Sequence, residues 1–568
     1  MRKKITKAVA LALAGTMVLG SFAGCGDKET KTDNESKGES KSEKESESKD
    51  ESKSDSDAVG MDSWEAFDDK VTITVPVYDR SKDGYPAVDD NYWTDWVQTE
   101  FGDKYNIDVQ YVAIPRSDVM TKYALLISAD QTPTILMEYD FPKVAQWAND
   151  GAMAEIDLDE FAKVAPTYYN KMVENDQLQY TDLNGSTYFV LSERAYNETP
   201  YTFCTFVRKD WLDQVGKEVP TSYEEYCDCL DAIIDAGLVS KEAVATSLPT
   251  AAYVANFPFR DYPVDEKEWA QYSSLGTPCF TWEATKNMIK RANDEYHKGY
   301  TSKEFDLQTD DDAKSAFVNG QSFSYGNYMS ASVDWLTSFY ENNPDAELAI
   351  ASNYAADEDD VAQATLRADN PFGMIVGFSS DATEDELKAA WMYMEWMSQD
   401  DVLFTLENGI EGVTYKMVDG IPEVDAAYRG EEMLNHNCNI DMTCIVHASK
   451  TIGDSIEDAI KTISPKGLPQ DFTQDIIDNY YELKEIADSG KAYTDPIFTV
   501  VINSESEYNA TLLSLYQEYY ADLVKCAPEE FDALYEKYSK EYLEAGYQEI
   551  IDERLEAYEN GNVANKPN

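Results

Sequence analysis

The chain has 568 residues, of which 108 are Asp or Glu and 47 are Lys or Arg, giving a formal net charge of -61 at pH 7. A surface this acidic repels phosphate backbones and anionic headgroups, which argues against nucleic acid and polyanions and leaves neutral or cationic ligands. With 43% apolar and 12% aromatic residues the chain can bury a large core, and its length exceeds one compact layer structure, so two lobes are expected.

A basic head (Arg2, Lys3, Lys4, Lys7) precedes an apolar run from Ala8 to Gly20, the layout of a signal peptide over residues 1–24 and too short for a permanent membrane span. The run Ser21-Phe22-Ala23-Gly24-Cys25 resembles a bacterial lipobox, in which the cysteine receives lipid and becomes the mature N-terminus, although Phe22 stands where Leu is usual. Cys25 is therefore the expected lipidation site. Residues 25–60 are built mostly of Ser, Lys, Glu, Asp, Thr and Gly and read as a disordered polar tether. As a flexible coil it would reach roughly 30 Å, holding the protein off the outer face of a membrane.

Val71 to Val77 alternates β-branched residues and predicts a strand, followed by a helix over Asn91–Phe101 and a strand over Ile107–Ile114. A helix over Asp118–Ala129, a strand over Pro133–Met137 and a helix over Phe141–Asp150 continue the series. This βα alternation predicts an α/β fold with a mainly parallel sheet flanked by helices. Asn184-Gly185 marks a hairpin turn into Ser186–Leu191, and an irregular polar stretch, Ser192–Pro200, precedes a restart of the same rhythm. The restart, with a strand over Phe203–Arg208 and helices over Ser222–Ala236 and Thr281–Lys298, predicts a second lobe. Phe372–Phe378 adds a buried strand, Asp385–Ser398 a Trp- and Met-rich helix, and from Gln470 onward the chain reads as long amphipathic helices.

Seven cysteines follow Cys25, an odd and scattered set that gives no complete disulfide framework; a Cys438–Cys444 pair stays open. Trp211, Trp391 and Trp396 sit at helical spacing among apolar neighbours and are expected in the core. Among the three histidines there is no HExxH, and GxSxG and Gly-rich phosphate loops are missing. Asp306 and Asp310–Asp312 lack the glycine and glutamate of an EF-hand and read as a solvated helix start, so no cofactor and no metal ligand is assigned, while a bound calcium ion stays open. A glycoside hydrolase needs two carboxylates at suitable separation, but among 108 acidic residues such a pair arises by chance and carries no weight.

Several stretches together resemble the extracellular solute-binding lipoproteins of ABC importers, family 1, of the maltose-binding-like fold, and within it the LplA-like subgroup. They are Phe101–Val109, Leu125–Pro133, Arg208–Gly216 with Val219–Tyr226, Asn408–Tyr415, and Gly546–Ile550 before Glu556–Tyr558. The resemblance implies a two-lobed periplasmic-binding-protein-like fold of type II with a helical C-terminal region. It places lobe 1 at 65–191 plus 368–430, lobe 2 at 200–366 plus 431–568, and the interlobe hinge at 192–199 and 367–371. It also implies a lipid-anchored monomer on the outside of a Gram-positive-type cell, which captures a carbohydrate and delivers it to ABC permease subunits without reacting with it. Peptides or other small solutes are the alternative ligands. Sugars need flat aromatic faces and planar polar groups, and the loops at strand ends supply both. The candidates are Tyr78 and Asp79 after the first strand, Tyr139 and Asp140 after the third, and Arg194, Tyr196 and Asn197 at the first crossing. Tyr325, Asn327 and Tyr328 lie in the stretch that in the family ends in a sugar-stacking aromatic, Asp369 lies near the second crossing, and Glu411 is in the signature loop.

Overall fold

The computed structural model describes residues 60–80, 85–116, 118–194, 203–239, 246–247, 265–274, 276–328, 335–351, 366–425, 428–435, 440–448, 455–458 and 470–565. The expected lipidation site Cys25, the tether up to residue 59, Cys438 and the candidates Tyr196 and Asn197 lie outside the described residues. So do the side chains of Asn327 and Tyr328, whose backbone is described.

The principal strands in chain order are β1 (Val71–Asp79), β2 (Ile107–Pro115), β3 (Ile135–Glu138), β4 (Phe189–Leu191), β5 (Phe203–Arg208), β6 (Ser324–Tyr328), β7 (Leu348–Ala351) and β8 (Ile375–Phe378). β1 and β2 pair in parallel over their full length, Val71 opposite Ile107 through Asp79 opposite Pro115. β8 lies between β3 and β4 and runs antiparallel to both. The two ladders meet through hydroxyls: Thr74 N–H donates to Thr134 Oγ1 at 3.0 Å and Thr134 N–H to Thr74 Oγ1 at 2.8 Å. Pro76, which has no N–H, is tolerated because β1 carries a backbone ladder on one side alone among the described residues.

In the second sheet β5 is flanked by β7 and β6, both antiparallel to it, and Thr246–Ser247 adds a parallel edge to β6. The expected two-sheet α/β architecture holds, while the pairing is mixed rather than mainly parallel. The parallel rule follows from a local βαβ crossover. β8 instead enters the first sheet after a return from the second, so no crossover helix fixes its direction.

Each sheet has its own core. The first is built around β1–β4, β8 and the Glu384–Met397 helix, in which every residue from Ala389 to Met397 is buried. Trp391 stacks on Phe161 with centroids 4.5 Å apart and Trp396 on Phe101 at 5.2 Å. Trp211 is buried under the Arg208 guanidinium, 4.5 Å above its ring, so all three tryptophans are core residues as expected. The second sheet packs on one side against the Gln470–Ile486 helix and on the other against the Tyr223–Asp235 helix.

The expected C-terminal helices form as Asn503–Lys525, Phe531–Tyr542 and Gln548–Glu559. Their tyrosines point inward: Phe280 is ringed by Tyr516, Tyr519, Tyr535 and Tyr542, and Tyr519 stacks on Tyr538 at 4.0 Å. Tyrosine suits such a helix bundle because each ring buries apolar area while its hydroxyl finds a partner, as Tyr542 does on the Pro278 carbonyl at 2.9 Å. The expected division at residue 431 does not describe the neighbouring loop: Met442, Cys444, Ile445 and Val446, with Ile497, are buried in the first core. Their apolar side chains follow the nearest apolar surface, which belongs to β1 and the Asp400–Asn408 helix. Cys444 is a free thiol.

Candidate functional site

The chain passes from the first sheet to the second after β4 and returns before β8. At these passages Ser192–Arg194 and Asn370–Met374 lie side by side. Ser192 N–H donates to Met374 O at 2.8 Å, Met374 N–H to Ser192 Oγ at 2.6 Å and Gly373 N–H to Ser192 O at 3.0 Å. A third segment joins them, with Glu193 N–H donating to Val446 O and Ala448 N–H to Glu193 O, both at 2.8 Å. Gly373 is required by this approach, since a Cβ there would stand 2.0 Å from that of Ala448.

Next to these passages is a cavity of about 300 Å³. One wall is the turn from β3 into the Phe141–Asn149 helix, which supplies Glu138, Tyr139, Asp140 and Phe141. Asp140 is the N-cap of that helix, its Oδ1 accepting from Lys143 N–H at 3.1 Å. The opposite wall comes from Ser273 and Ser274, from Asp495 and Phe498, and from Glu505 and Arg554 on the C-terminal helices, with Asn370 at the crossing. A hydrogen bond from Ser506 to Gln146 ties the two walls.

Burial dominates the electrostatics of the lining. Glu138 is buried and its carboxyl is held above the ordinary range by loss of solvent, although it accepts from Tyr78 O–H at 3.2 Å and Tyr139 N–H at 2.8 Å. Burial raises Asp140 and Glu505 in the same way. Arg554 is almost fully buried: Nη1 donates to Glu505 Oε1 at 2.7 Å, Nε to Ala270 O at 2.8 Å and Nη2 to Ser273 O. Beside the cavity, Arg80 grips Asp441 with two bonds of 3.0 and 3.2 Å.

Of the candidates, Tyr139 and Asp140 line the cavity, and Tyr139 keeps 38% of its surface exposed. Tyr78 is corrected to a core residue: it is 1% exposed and its hydroxyl is given to Glu138, because the end of β1 faces inward. Tyr325 is likewise core, at 7% exposure, stacked on Phe317 at 5.8 Å and edge-on to Trp335. Arg194 fastens the passages, donating to Asn370 O at 3.0 Å and Phe372 O at 2.9 Å and pairing with Asp369 at 3.3 Å, so both residues of that pair hold the crossing. Asp79 is half-buried, its carbonyl accepting from Arg116 N–H, and Glu411 is exposed on its turn; neither lines the cavity.

Asp495, Glu505 and Arg554 were not among the sequence candidates. A signal existed for Arg554: it shares the buried face of the Gln548–Glu559 helix with Ile550, Ile551 and Ala557, and a lone cation within an apolar stripe must be paired.

Two sheets with separate cores, joined by paired crossings beside a cavity at the carboxyl end of a strand, define a two-lobed, periplasmic-binding-protein-like fold. The family model of the bacterial extracellular solute-binding protein matches residues 96–406, more than half of the chain. The chain belongs to this family. Among solved structures it is similar to an HMO-binding solute-binding protein associated with an ABC transporter from Bifidobacterium longum infantis, at 15% identity over 87% of this chain and 99% of that one, with a TM-score of 0.60. The alginate-binding protein AlgQ2 without calcium ion is similar at 14% identity over 87% and 99%, TM-score 0.58. The S. pneumoniae substrate-binding protein FusA in complex with kestose is similar at 14% identity over 86% and 99%, TM-score 0.56. A comparison with curated proteins finds no match.

Proposed function

We propose that this protein is a lipid-anchored receptor of the LplA-like subgroup that captures a carbohydrate, an oligosaccharide by preference, outside a Gram-positive-type cell and hands it to an ABC permease without chemical change. The observation that carries the reading is Tyr139, an exposed aromatic ring at a cavity whose other lining groups include the planar carboxyl of Asp140 and amide of Asn370. An aromatic face takes the C–H surface of a pyranose, and flanking planar groups take its paired hydroxyls. Its fold neighbours include a solute-binding protein described as HMO-binding and one in complex with kestose, which supports the same class here. The ligand touches both walls, and closure follows from contacts made only in the closed state.

Tyr139→Ala is expected to weaken binding of an oligosaccharide roughly tenfold by titration calorimetry, the worth of one aromatic platform, with an unchanged melting temperature. Unchanged affinity removes the ring from the site. Incubation with labelled oligosaccharides distinguishes receptor from hydrolase: turnover at substoichiometric protein overturns the binding role.

The anchor has its own test. Cys25→Ala is expected to move the protein from the detergent phase of a cloud-point extraction, and from the cell membrane, into the aqueous fraction and culture medium. Retention in the membrane would show that another element holds it.

A further inference from the structure

The cavity is apolar on both sides where it meets solvent. Tyr139 and Pro142 are exposed on the near wall, and Pro496, Val500 and Val501 are half-exposed on the far one. The far segment is tied at several points: Ile497 O accepts from Ala564 N–H at 2.9 Å, Thr499 N–H donates to Asn562 O at 3.1 Å, and Thr499 O accepts from Asn184 N–H at 2.8 Å. The surface formed by Pro496 and the two valines is therefore built before any ligand arrives. Asn370 lines the same cavity. Its backbone is pinned at the crossing, because Arg194 Nε donates to Asn370 O at 3.0 Å and Gln177 Nε2 to Pro371 O at 3.1 Å. Its side-chain amide is half-buried and has no partner among the described residues. A planar amide, with an acceptor and two donors unused, thus sits beside an apolar rim.

We propose that the cavity selects a sugar bearing an acetamido group, an N-acetylhexosamine residue, an inference that rests on the carbohydrate reading above. Each part of such a residue meets a matching part of the lining. The acetyl methyl leaves water against proline and valine. The acetamido N–H and C=O pair with the carbonyl oxygen and the amino group of the Asn370 side chain, both ends of one amide answering both ends of the other. The ring lies on Tyr139, 38% of whose surface is open. A plain hexose carries a hydroxyl in place of the acetamido group, and a hydroxyl set against proline and valine loses water without gaining a partner. A free ammonium at the same position loses more. At about 300 Å³ the cavity is at the small end of ligand sites, which run from about 300 to 1,000 Å³, so it takes one substituted ring rather than a chain.

The test is calorimetric titration of the full chain with three disaccharides of one linkage that differ only in the substituent at C2: N,N′-diacetylchitobiose, cellobiose, and chitobiose with both amines free. The diacetyl sugar is expected to bind at least about tenfold more tightly than the other two. Val500→Thr with Val501→Thr keeps the shape of both side chains and exchanges a methyl for a hydroxyl on each. Asn370→Ala removes the amide and leaves the backbone carbonyl that holds Arg194. Each variant is expected to bring the ratio toward unity with little change in melting temperature. Equal affinity for the three sugars, a ratio favouring either of the others, a preference that survives either variant, or no binding of the diacetyl sugar overturns acetamido selection. If cellobiose or maltotriose still binds, the carbohydrate function stands without it; if no sugar binds, both fall.

Discussion

Arg554→Met is expected to lower stability by about 3–5 kcal/mol, the cost of stranding one partner of a buried ion pair. Glu505 and Arg554 are each 2% exposed, and the guanidinium also satisfies the carbonyls of Ala270 and Ser273, so one substitution leaves a buried carboxylate and two buried acceptors without their donor. Urea unfolding at pH 7.5 measures the loss. Burial holds Glu505 above the ordinary carboxylate range even with Arg554 present. Without Arg554 it rises further, so the deficit should shrink as pH falls and the acid takes up a proton. The double variant Glu505→Gln with Arg554→Met should recover part of the stability, because it removes the buried charge along with its partner. A single variant as stable as the parent, or a deficit independent of pH, would show that the pair is not the brace its geometry describes.

The same pair shows where reading the sequence reaches its limit. The strands and helices of the first lobe were legible because local rules dictate them: alternation of β-branched residues in Val71–Val77, and an N-cap with proline at the start of the Phe141–Asn149 helix. Tyr139 and Asp140 were legible for a related reason, since a strand-to-helix turn exposes its residues at the sheet's edge. Tyr78 and Tyr325 lie within strands, where one step of register turns a side chain from solvent to core, and both turned inward. Arg194 and Asp369 pair where the chain passes between the sheets, and their side chains serve the hydrogen bonds of that passage. On the far wall of the cavity only Arg554 left a signal, as a lone cation in an apolar stripe. Asp495, Glu505 and Arg554 are more than 350 residues from Tyr139 along the chain, and on the amphipathic helices that carry Glu505 and Arg554 charged residues ordinarily face water. Only tertiary packing buries these two against each other.

Glu295 should make the stability of the second half depend on pH. It lies on the Glu283–Lys298 helix, is buried, and accepts from Tyr223 O–H at 2.9 Å; loss of solvent pushes its carboxyl from 4.5 up to about 7. The groups facing it are Tyr223, Tyr226 and Cys227 from the Tyr223–Asp235 helix and Tyr520 from the Asn503–Lys525 helix, with Arg291, Asp294 and Lys298 from its own; Arg291 sits 4.3 Å over the Tyr223 ring. Because the folded value exceeds the unfolded one, the folded protein holds the extra proton between them, and stability falls as pH rises from 4.5 to 7. The shift corresponds to about 3 kcal/mol, fully present below pH 4.5 and lost above 7. Glu295→Gln keeps an acceptor for Tyr223 and has no proton to lose. Relative to the parent it should gain up to about 3 kcal/mol at pH 8 and nothing at pH 4.5, read as the difference between two urea-unfolding series across that range. Other titrating groups contribute equally to both proteins and cancel in that difference. Parallel series would mean that Glu295 stays ionised when folded, with Arg291 and Lys298 compensating its burial in full.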